Sequence, residues 1–376
     1  MKKIPLFKPY MGGEEARAVA KTLRSGWITL GPKTEEFEEA FAKYVGAKHA
    51  VALNSATSAL HLALIVLGVH QGDEVITTPI TFASTAEVVF YVGATPVFAD
   101  IDPRTLNIDP HSIEKKITKK TKAIIVVHYG GQPCDMDAIN AIGKKHNIPI
   151  IEDAAHATGS SYKGQKIGGS NNLTTFSFHA VKNLATGDGG MITTPDDDIA
   201  KRLRALRWMG INKSTSERET AGGYRWDYDI VEGGGFKYHM NDINASIGLV
   251  QLKKLDMMNA KRHAVAKIYD AAFKDSKTIR PLTQLSERAT SRHNYCVLLH
   301  DISREAFIEY LSAQGISTGV HYKPLYHHPR YRPYGSAKDT PFAESVWPRI
   351  LLLPCHPHMS VVDAKKVIRA VLNFKS

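Results

Sequence analysis

One lysine stands in a segment where lysine is unusual. Residues 176–194 read FSFHAVKNLATGDGGMITT, in which an apolar strand pattern leads to a serine, a histidine and Lys182, and a glycine-rich turn and another strand follow. Lysine prefers solvent, and desolvation lowers its pKa, which favours the neutral amine that forms a Schiff base with a carbonyl. For this segment alone, a surface lysine that extends its ammonium group into water is the alternative.

Two acidic residues end another apolar strand pattern, IIEDAAHATG. Glu152 and Asp153 close the strand, and His156 follows three residues later. In parallel α/β sheets, ligands bind at the carboxyl ends of the strands. A helix N-cap or a surface carboxylate is the alternative if this site stands alone.

A third segment, VALNSATSALHLAL, predicts a strand, a run of small polar residues and a helix. Free backbone N–H groups at a helix N-terminus, with hydroxyl groups beside them, can bind an anion, although alone this is only a capped helix. The three segments together supply a phosphate site, an acid that can pair with a pyridinium nitrogen and a lysine that can form an imine. Pyridoxal phosphate (PLP) requires these three groups, so the sequence predicts PLP.

The elements that must position these groups alternate between strands and helices from about residue 33. The strand patterns HAVALN, EVITTP, TPVFAD, AIIVVH and IPIIED are separated by helical patterns, which predicts a mostly parallel sheet covered by helices on both faces. The polar, glycine-rich stretch 212–234 predicts a long surface loop, and 241–273 predicts a long helix.

The last hundred or so residues predict a small α+β domain. They contain a strand pattern NYCVLLH, a helix REAFIEYLSAQG, a short strand near ISTGVHY and a final helix VDAKKVIRAVLNF. We therefore expect a large PLP-binding domain with an N-terminal arm over residues 1–250 and a smaller C-terminal domain over 251–376.

Over nearly its whole length the chain resembles the DegT/DnrJ/EryC1/StrS family of sugar aminotransferases, which are PLP enzymes of fold type I. The resemblance is carried, in order, by SGWITLGP, SATSALHLAL, TFASTAEVV, EDAAHA, SFHAVKNLATGDGG, GFKYHMNDINASIGLVQL, GVHYKPLY and LLLPCHP.

The resemblance implies a role for each matching residue. Lys182 would form the Schiff base with the cofactor and shuttle the substrate proton, and Asp153 would hold the proton on the ring nitrogen. His156 would lie near the ring and Phe82 would stack on its face. The phosphate would be held by Ala56, Thr57 and Ser177, and the substrate by Thr29, His321 and Tyr322.

Three positions depart from the family pattern. Ala56 stands where relatives usually have Gly, Asp188 where many have Glu, and Lys237 where many have an Asn that reaches the neighbouring subunit's phosphate. Lys237 could bind that phosphate as a point charge or could turn outward, so shared active sites in a homodimer are an expectation. Some relatives carry His at the position of Lys182 and act as sugar dehydratases, so Lys182 favours transamination.

Composition narrows the possible partners. The chain has 48 basic and 37 acidic residues, a net charge of +11, yet its lysine cluster near 115–122 lacks the interleaved aromatics of a nucleic-acid binder. The three cysteines are widely spaced, which argues against a disulfide framework and against a zinc ribbon. No secretory signal or membrane span is apparent, so the protein is expected to be cytoplasmic.

Two histidine-rich clusters resemble metal ligands by composition, and two glycine strings raise the question of a nicotinamide-binding turn. The residues around 321–328 and 355–358 match no compact zinc motif, so no metal site is expected, and GDGG and EGGGF do not form a nicotinamide-binding GxGxxG turn.

The sequence therefore predicts a PLP-dependent aminotransferase that converts a nucleotide-linked keto sugar, with glutamate or glutamine as the donor. SGWITLGP and GFKYHMNDINA favour a UDP- or GDP-linked 4-keto sugar. The alternatives are a PLP enzyme that acts on a cyclitol or an amino acid, and a non-catalytic regulatory relative.

Overall fold

The computed structural model describes residues 3–213, 218–220, 223–224 and 227–374. The predicted surface loop at 212–234 therefore lies partly outside the described residues. The strands are β1 (His49–Leu53), β2 (Glu74–Thr77), β3 (Thr95–Phe98), β4 (Thr121–Val127), β5 (Ile150–Asp153), β6 (Ser161–Tyr162), β7 (Gln165–Lys166), β8 (Leu173–Ser177), β9 (Gly190–Thr194), β10 (Glu219–Thr220), β11 (Gly223–Tyr224), β12 (Ile279–Pro281), β13 (Arg288–Ala289), β14 (Tyr295–Leu299) and β15 (Ile350–Leu353).

Helices of very different length connect these strands. The α-helices are α1 (Gly13–Ser25), α2 (Pro32–Val45), α3 (Ala56–Val66), α4 (Ser84–Tyr91), α5 (Pro110–Lys116), α6 (Met136–His146), α7 (Asp197–Leu206), α8 (Asp242–Phe273), α9 (Arg304–Ala313), α10 (Pro341–Val346) and α11 (Val361–Leu372), and short 3-10 helices span Tyr129–Gly131, Leu325–His327, Pro329–Tyr334 and Trp347–Arg349.

The larger sheet has seven strands in the order β1-β9-β8-β5-β4-β2-β3. Neighbouring strands from β8 to β3 are parallel, and β9 is antiparallel to both β1 and β8. The α/β fold with a mostly parallel sheet covered by helices is thus confirmed. The carboxyl ends of the parallel strands meet at one edge, where the predicted site residues follow β5 and β8.

Both faces of this sheet are buried, because successive strand residues point to opposite sides and helices pack against each side. On one side, Val51 and Leu53 of β1 pack with the apolar face of α3. On the other side, Ala50 and Ala52 pack with Phe41 of α2 and the first half of α8. Near-continuous apolar strands of this kind are typical of parallel sheets with helices on both faces.

A second, antiparallel sheet has the strand order β12-β14-β15 and packs against the second half of α8, α9 and α11. The long helix begins where the sequence predicts, since the Asn241 side chain accepts a hydrogen bond from the Asn244 N–H at 2.9 Å. The division into domains at residue 250 remains a prediction.

One predicted strand is wrong. ISTGVHY does not form a strand, because only Ile316 and Gly319 make isolated bridges, to Ile4 and Leu352 respectively. Its residues instead lead toward the edge of the larger sheet. No helix among the described residues is long and apolar enough to cross a membrane.

Candidate active site

A cleft of about 370 Å³ lies at the carboxyl ends of β5 and β8. It brings together all of the predicted site residues except Thr29 and Lys237, namely Ala56, Thr57, Phe82, Asp153, His156, Ser177, Lys182, His321 and Tyr322. A larger open cleft of about 840 Å³ contains none of them, and buried charges there, such as Glu38 with Arg207, are already paired. The smaller cleft is therefore the candidate active site.

Lys182 reaches this cleft from a turn that follows β8. Its backbone N–H donates to the His179 carbonyl at 2.8 Å, and the next residue, Asn183, is fixed by hydrogen bonds to Asn259 and Ser291. Desolvation lowers the pKa of Lys182 to about 8, against the opposing effect of the Asp153 carboxylate. A neutral amine is thus available near physiological pH, as Schiff-base formation requires.

The Asp153 carboxylate is buried and held by two donors. Oδ2 accepts from the Thr85 hydroxyl at 2.8 Å and Oδ1 accepts from the Ala155 N–H at 3.1 Å. Burial raises the pKa of Asp153, and these hydrogen bonds and the positive charge of Lys182 oppose the rise. A cationic partner in the cleft would stabilise the ionised carboxylate further, which is what a pyridinium nitrogen offers.

Glu152 does not belong to the cleft, although it precedes Asp153. It points to the other face of β5, where its Oε2 pairs with His128 Nε2 at 2.9 Å and its Oε1 accepts from Ser170 and Asn172. The Cys134 N–H donates to His128 Nδ1 at 3.1 Å, so the proton on Nε2 is the one that His128 donates to Glu152. This buried network fixes the strand that carries Asp153.

The predicted phosphate site lies at the start of α3. The Ser55 side chain caps the helix by accepting from the Ser58 N–H at 3.1 Å, while the N–H groups of the first helical residues have no acceptor within the helix. Gly190 pairs with Ser177 across β8 and β9, and a Cβ at Gly190 would lie 2.3 Å from the Ser55 carbonyl. Glycine therefore lets β9 approach the start of α3, beside the end of β8 that carries Ser177, and the residues fit a phosphate group.

Stacked rings line another wall of the cleft. His156 stacks on Tyr322, with their centroids 6.2 Å apart, and its Nε2 lies 3.3 Å from the Tyr322 hydroxyl. His321 stacks on Tyr322 at 4.6 Å. Burial lowers the pKa of His321 to about 4 and holds that of His156 well below its ordinary value. These rings are neutral, so they add no positive charge beside Lys182.

Thr29 and Lys237 are exposed and do not line the cleft. The Thr29 hydroxyl lies 3.3 Å from His239 Nε2, and the Lys237 ammonium group lies 4.6 Å from the centre of the Trp208 ring. Both residues thus belong to one surface region, separate from the cleft of the same chain.

The sequence did not identify Thr85, Asn183 or His293 as site residues. Thr85 lies in the first turn of α4, within the motif TFASTAEVV, and Asn183 follows Lys182 directly, within SFHAVKNLATGDGG. His293 lies in the loop before β14, and nothing in its sequence neighbourhood indicates that it lines the cleft. Within the described ranges, no group of three or more His, Cys, Asp or Glu side chains is placed to hold a metal ion.

Comparison with known proteins agrees with this geometry. The model of the DegT/DnrJ/EryC1/StrS aminotransferase family matches residues 9–372. The chain belongs to this family. It is 44% identical to the spore coat polysaccharide biosynthesis protein SpsC of Bacillus subtilis, over 98% of this chain and 96% of that protein.

Solved structures of aminotransferases have the same fold. The putative sugar aminotransferase Spr1654 of Streptococcus pneumoniae, in its PMP form, is 37% identical with a TM-score of 0.91 over 98% of each chain, and its PLP form is 36% identical with the same TM-score over 99% of this chain and 98% of that chain. Helicobacter pylori PseC, an aminotransferase involved in pseudoaminic acid biosynthesis, is 33% identical with a TM-score of 0.91, over 99% of this chain and 98% of PseC. The protein is a PLP-dependent sugar aminotransferase of fold type I.

The first prediction concerns the pKa of Lys182. The rate at which added PLP becomes covalently attached to cofactor-free protein should rise about tenfold per pH unit below pH 8 and level off above it, because only the neutral amine reacts. Stopped-flow absorbance measures this rate. Lys182→Ala is the control and should show no attachment, while a rise that continues to pH 10 would indicate an ordinary solvated lysine.

The second prediction concerns Asp153. Asp153→Asn should still bind PLP, since the phosphate site is untouched, but turnover should fall roughly a hundredfold or more because the neutral amide cannot hold the proton on the ring nitrogen. Equilibrium dialysis and steady-state kinetics separate the two effects. Near-normal turnover would show that another group holds that proton.

Proposed function

We propose that the enzyme transfers an amino group to a nucleotide-linked keto sugar, most simply a UDP- or GDP-linked 4-keto sugar, with glutamate or glutamine as donor. The observation that carries this proposal is a lysine of lowered pKa near a buried carboxylate, in a cleft that His321 and Tyr322 of GVHYKPLY also line. The roles of SpsC in spore coat polysaccharide biosynthesis and of PseC in pseudoaminic acid biosynthesis support a sugar acceptor of this class.

The residues that line the cleft would each have a separate role in the reaction. When bound, PLP supplies an electron sink for the pair of electrons left on the substrate carbon. The Lys182 Nζ takes the proton from that carbon and returns it at the neighbouring position, and the Asp153 carboxylate holds the proton of the ring nitrogen. Ser177 and the amides of Ala56 and Thr57 hold the phosphate, and Phe82, which is 61% exposed, is free to stack on the ring.

Donor and acceptor would use the same cleft in turn. The donor would enter first and leave as its keto acid, and the keto sugar would enter afterwards and leave as an amino sugar. A single Lys182 serves both stages because the proton transfer of the second stage reverses that of the first. His321 and Tyr322 are placed to contact the sugar substrate in the second stage.

The position of Thr29 and Lys237 supports a homodimer with shared active sites. Both lie in one exposed region outside the cleft of their own chain, where Thr29 contacts His239 and Lys237 lies over Trp208, whose ring packs against His239. A lysine that arrives from the partner would neutralise part of the phosphate charge. We also infer the two-domain division at residue 250 and a cytoplasmic location.

The third prediction tests the substrate. After reaction with glutamate, the enzyme should regain its PLP colour when a UDP- or GDP-linked 4-keto sugar is added, and mass spectrometry should detect the amino sugar. Free keto sugars are the matched control and should react poorly, because they lack the nucleotide. Turnover of a cyclitol or an amino acid, with none of the nucleotide-linked sugars, would contradict the proposal.

The fourth prediction tests sharing. Lys237→Ala alone should be nearly inactive, and mixing it with Lys182→Ala should restore about a quarter of the parent activity at full subunit exchange, since half of the dimers then contain one intact site. Native mass spectrometry confirms the exchange. An active Lys237→Ala enzyme, or no recovery in exchanged dimers, would show that Lys237 has no role in the partner's site.

A further inference from the structure

His293 is a buried residue of the cleft that the mechanism above does not use. It is 1% exposed and lines the cleft beside Lys182. Its ring stacks on His156, with centroids 4.4 Å apart, and on Phe7 of the N-terminal arm, at 5.6 Å. The ring plane is therefore fixed by packing, and the ring edge with its two nitrogen atoms is what remains for hydrogen bonding.

A chain of amides determines which nitrogen of His293 carries the proton. Asn259 Nδ2 donates to the Thr158 carbonyl, so Asn259 Oδ1 is the atom that accepts from Asn183 Nδ2 at 2.7 Å. Asn183 Nδ2 also donates to the Ser291 carbonyl at 2.9 Å, so Asn183 Oδ1 is an acceptor. His293 Nδ1 lies 2.9 Å from that oxygen and must be the donor.

The other ring nitrogen is then a free acceptor. Burial, together with the nearby His156 and Lys182, keeps the pKa of His293 well below its ordinary value, so the ring is neutral and Nε2 carries a lone pair. Among the described residues, this atom has no hydrogen-bond partner and almost no accessible surface, so a substrate group reaches it only after the side chains around it move. Nδ1 is turned toward Asn183, which does not line the cleft, so Nε2 lies at the edge of the ring away from that amide.

A buried acceptor without a partner costs free energy, and a ligand that donates a hydrogen bond removes that cost. With glutamate rather than glutamine as the amino donor, the two substrates differ in what they can donate, since the side-chain amide of glutamine is itself a donor. A keto sugar carries hydroxyl groups, whereas glutamate, apart from the nitrogen that reacts, has only carboxylates that accept. The phosphate and the ionised ring oxygen of PLP are acceptors as well, so the sugar is the substrate that matches Nε2.

We propose that His293 is a specificity-determining residue for the sugar half of the reaction, and that its Nε2 accepts a hydrogen bond from a hydroxyl group of the keto sugar. The inference rests on the proposed function. The amino donor and the keto sugar bind in the same cleft. His293 would distinguish between them because it contacts only the sugar.

Two substitutions separate the two ring nitrogens. His293→Asn places an amide donor near the position of Nδ1 and removes the acceptor, whereas His293→Gln places an amide oxygen near the position of Nε2. Both replace the ring that stacks on His156 and Phe7, and they differ in which ring nitrogen they mimic, so each is compared with the other. PLP absorbance and the thermal unfolding midpoint of each holoenzyme show whether it is folded and loaded.

The fifth prediction compares the half-reactions in single-turnover absorbance experiments. In His293→Asn, the reaction with glutamate should stay within about twofold of the parent, while the reaction with a UDP- or GDP-linked keto sugar should slow about tenfold. His293→Gln should recover most of the sugar rate. Calorimetry should show the same order, with a UDP- or GDP-linked amino sugar binding cofactor-free His293→Asn about tenfold more weakly than the parent.

The outcomes distinguish the two proposals. A parent enzyme that reacts with none of the nucleotide-linked keto sugars overturns the substrate class, and the role of His293 with it. A parent that reacts normally, combined with an equal loss in both half-reactions of His293→Asn, overturns the role of His293 alone. The same holds if His293→Gln is no better than His293→Asn in rate or in affinity.

Discussion

The site depends on keeping a lysine and a carboxylate out of water in the same cleft. Desolvation disfavours both charged forms, so it lowers the pKa of Lys182 and raises that of Asp153, and the attraction between the two charges offsets only part of each effect. The lysine can therefore be neutral enough to react, while the carboxylate is ready to be stabilised by a cation. A bound PLP would provide that cation at its ring nitrogen, which is why a cleft with this pair suits PLP.

The sheet makes this arrangement possible because it delivers both groups to one edge. Asp153 ends β5 and Lys182 follows β8, and these two strands are parallel neighbours. Glu152, one residue earlier, points to the opposite face and pairs with His128 there. Strand alternation thus divides two adjacent carboxylates between a structural network and the active site.

The histidines of the cleft act as neutral, stacked rings. Their burial near Lys182 keeps the pKa of His156, His293 and His321 below the ordinary value. A positive charge on any of these rings would compete with the lysine for the nearby carboxylate and for the anionic cofactor. The neutral rings instead offer flat apolar surface and single hydrogen-bonding atoms, which is a suitable environment for a sugar ring bearing hydroxyl groups.

The sequence determined the elements and most of the site because the signals are local. Apolar strands, glycine-rich turns and the capped start of α3 place Lys182, Asp153 and Ser177 at strand ends, and the fold class follows from the same alternation. The predicted strand near ISTGVHY is wrong because its residues form only isolated bridges to Ile4 and Leu352. These partners lie in distant segments of the chain, so the local sequence pattern does not reveal how little of the segment is paired.

Only the tertiary structure decided which distant residues meet the cleft and which turn away from it. His293 enters from the loop before β14, and its tautomer is set by an amide chain through Asn183 and Asn259 that spans separate parts of the chain. Lys237 lies outside the cleft, over Trp208. Hydrogen bonds and stacking of this kind join residues a hundred or more positions apart, as with Asn183 and His293, and no local pattern of residue types encodes them.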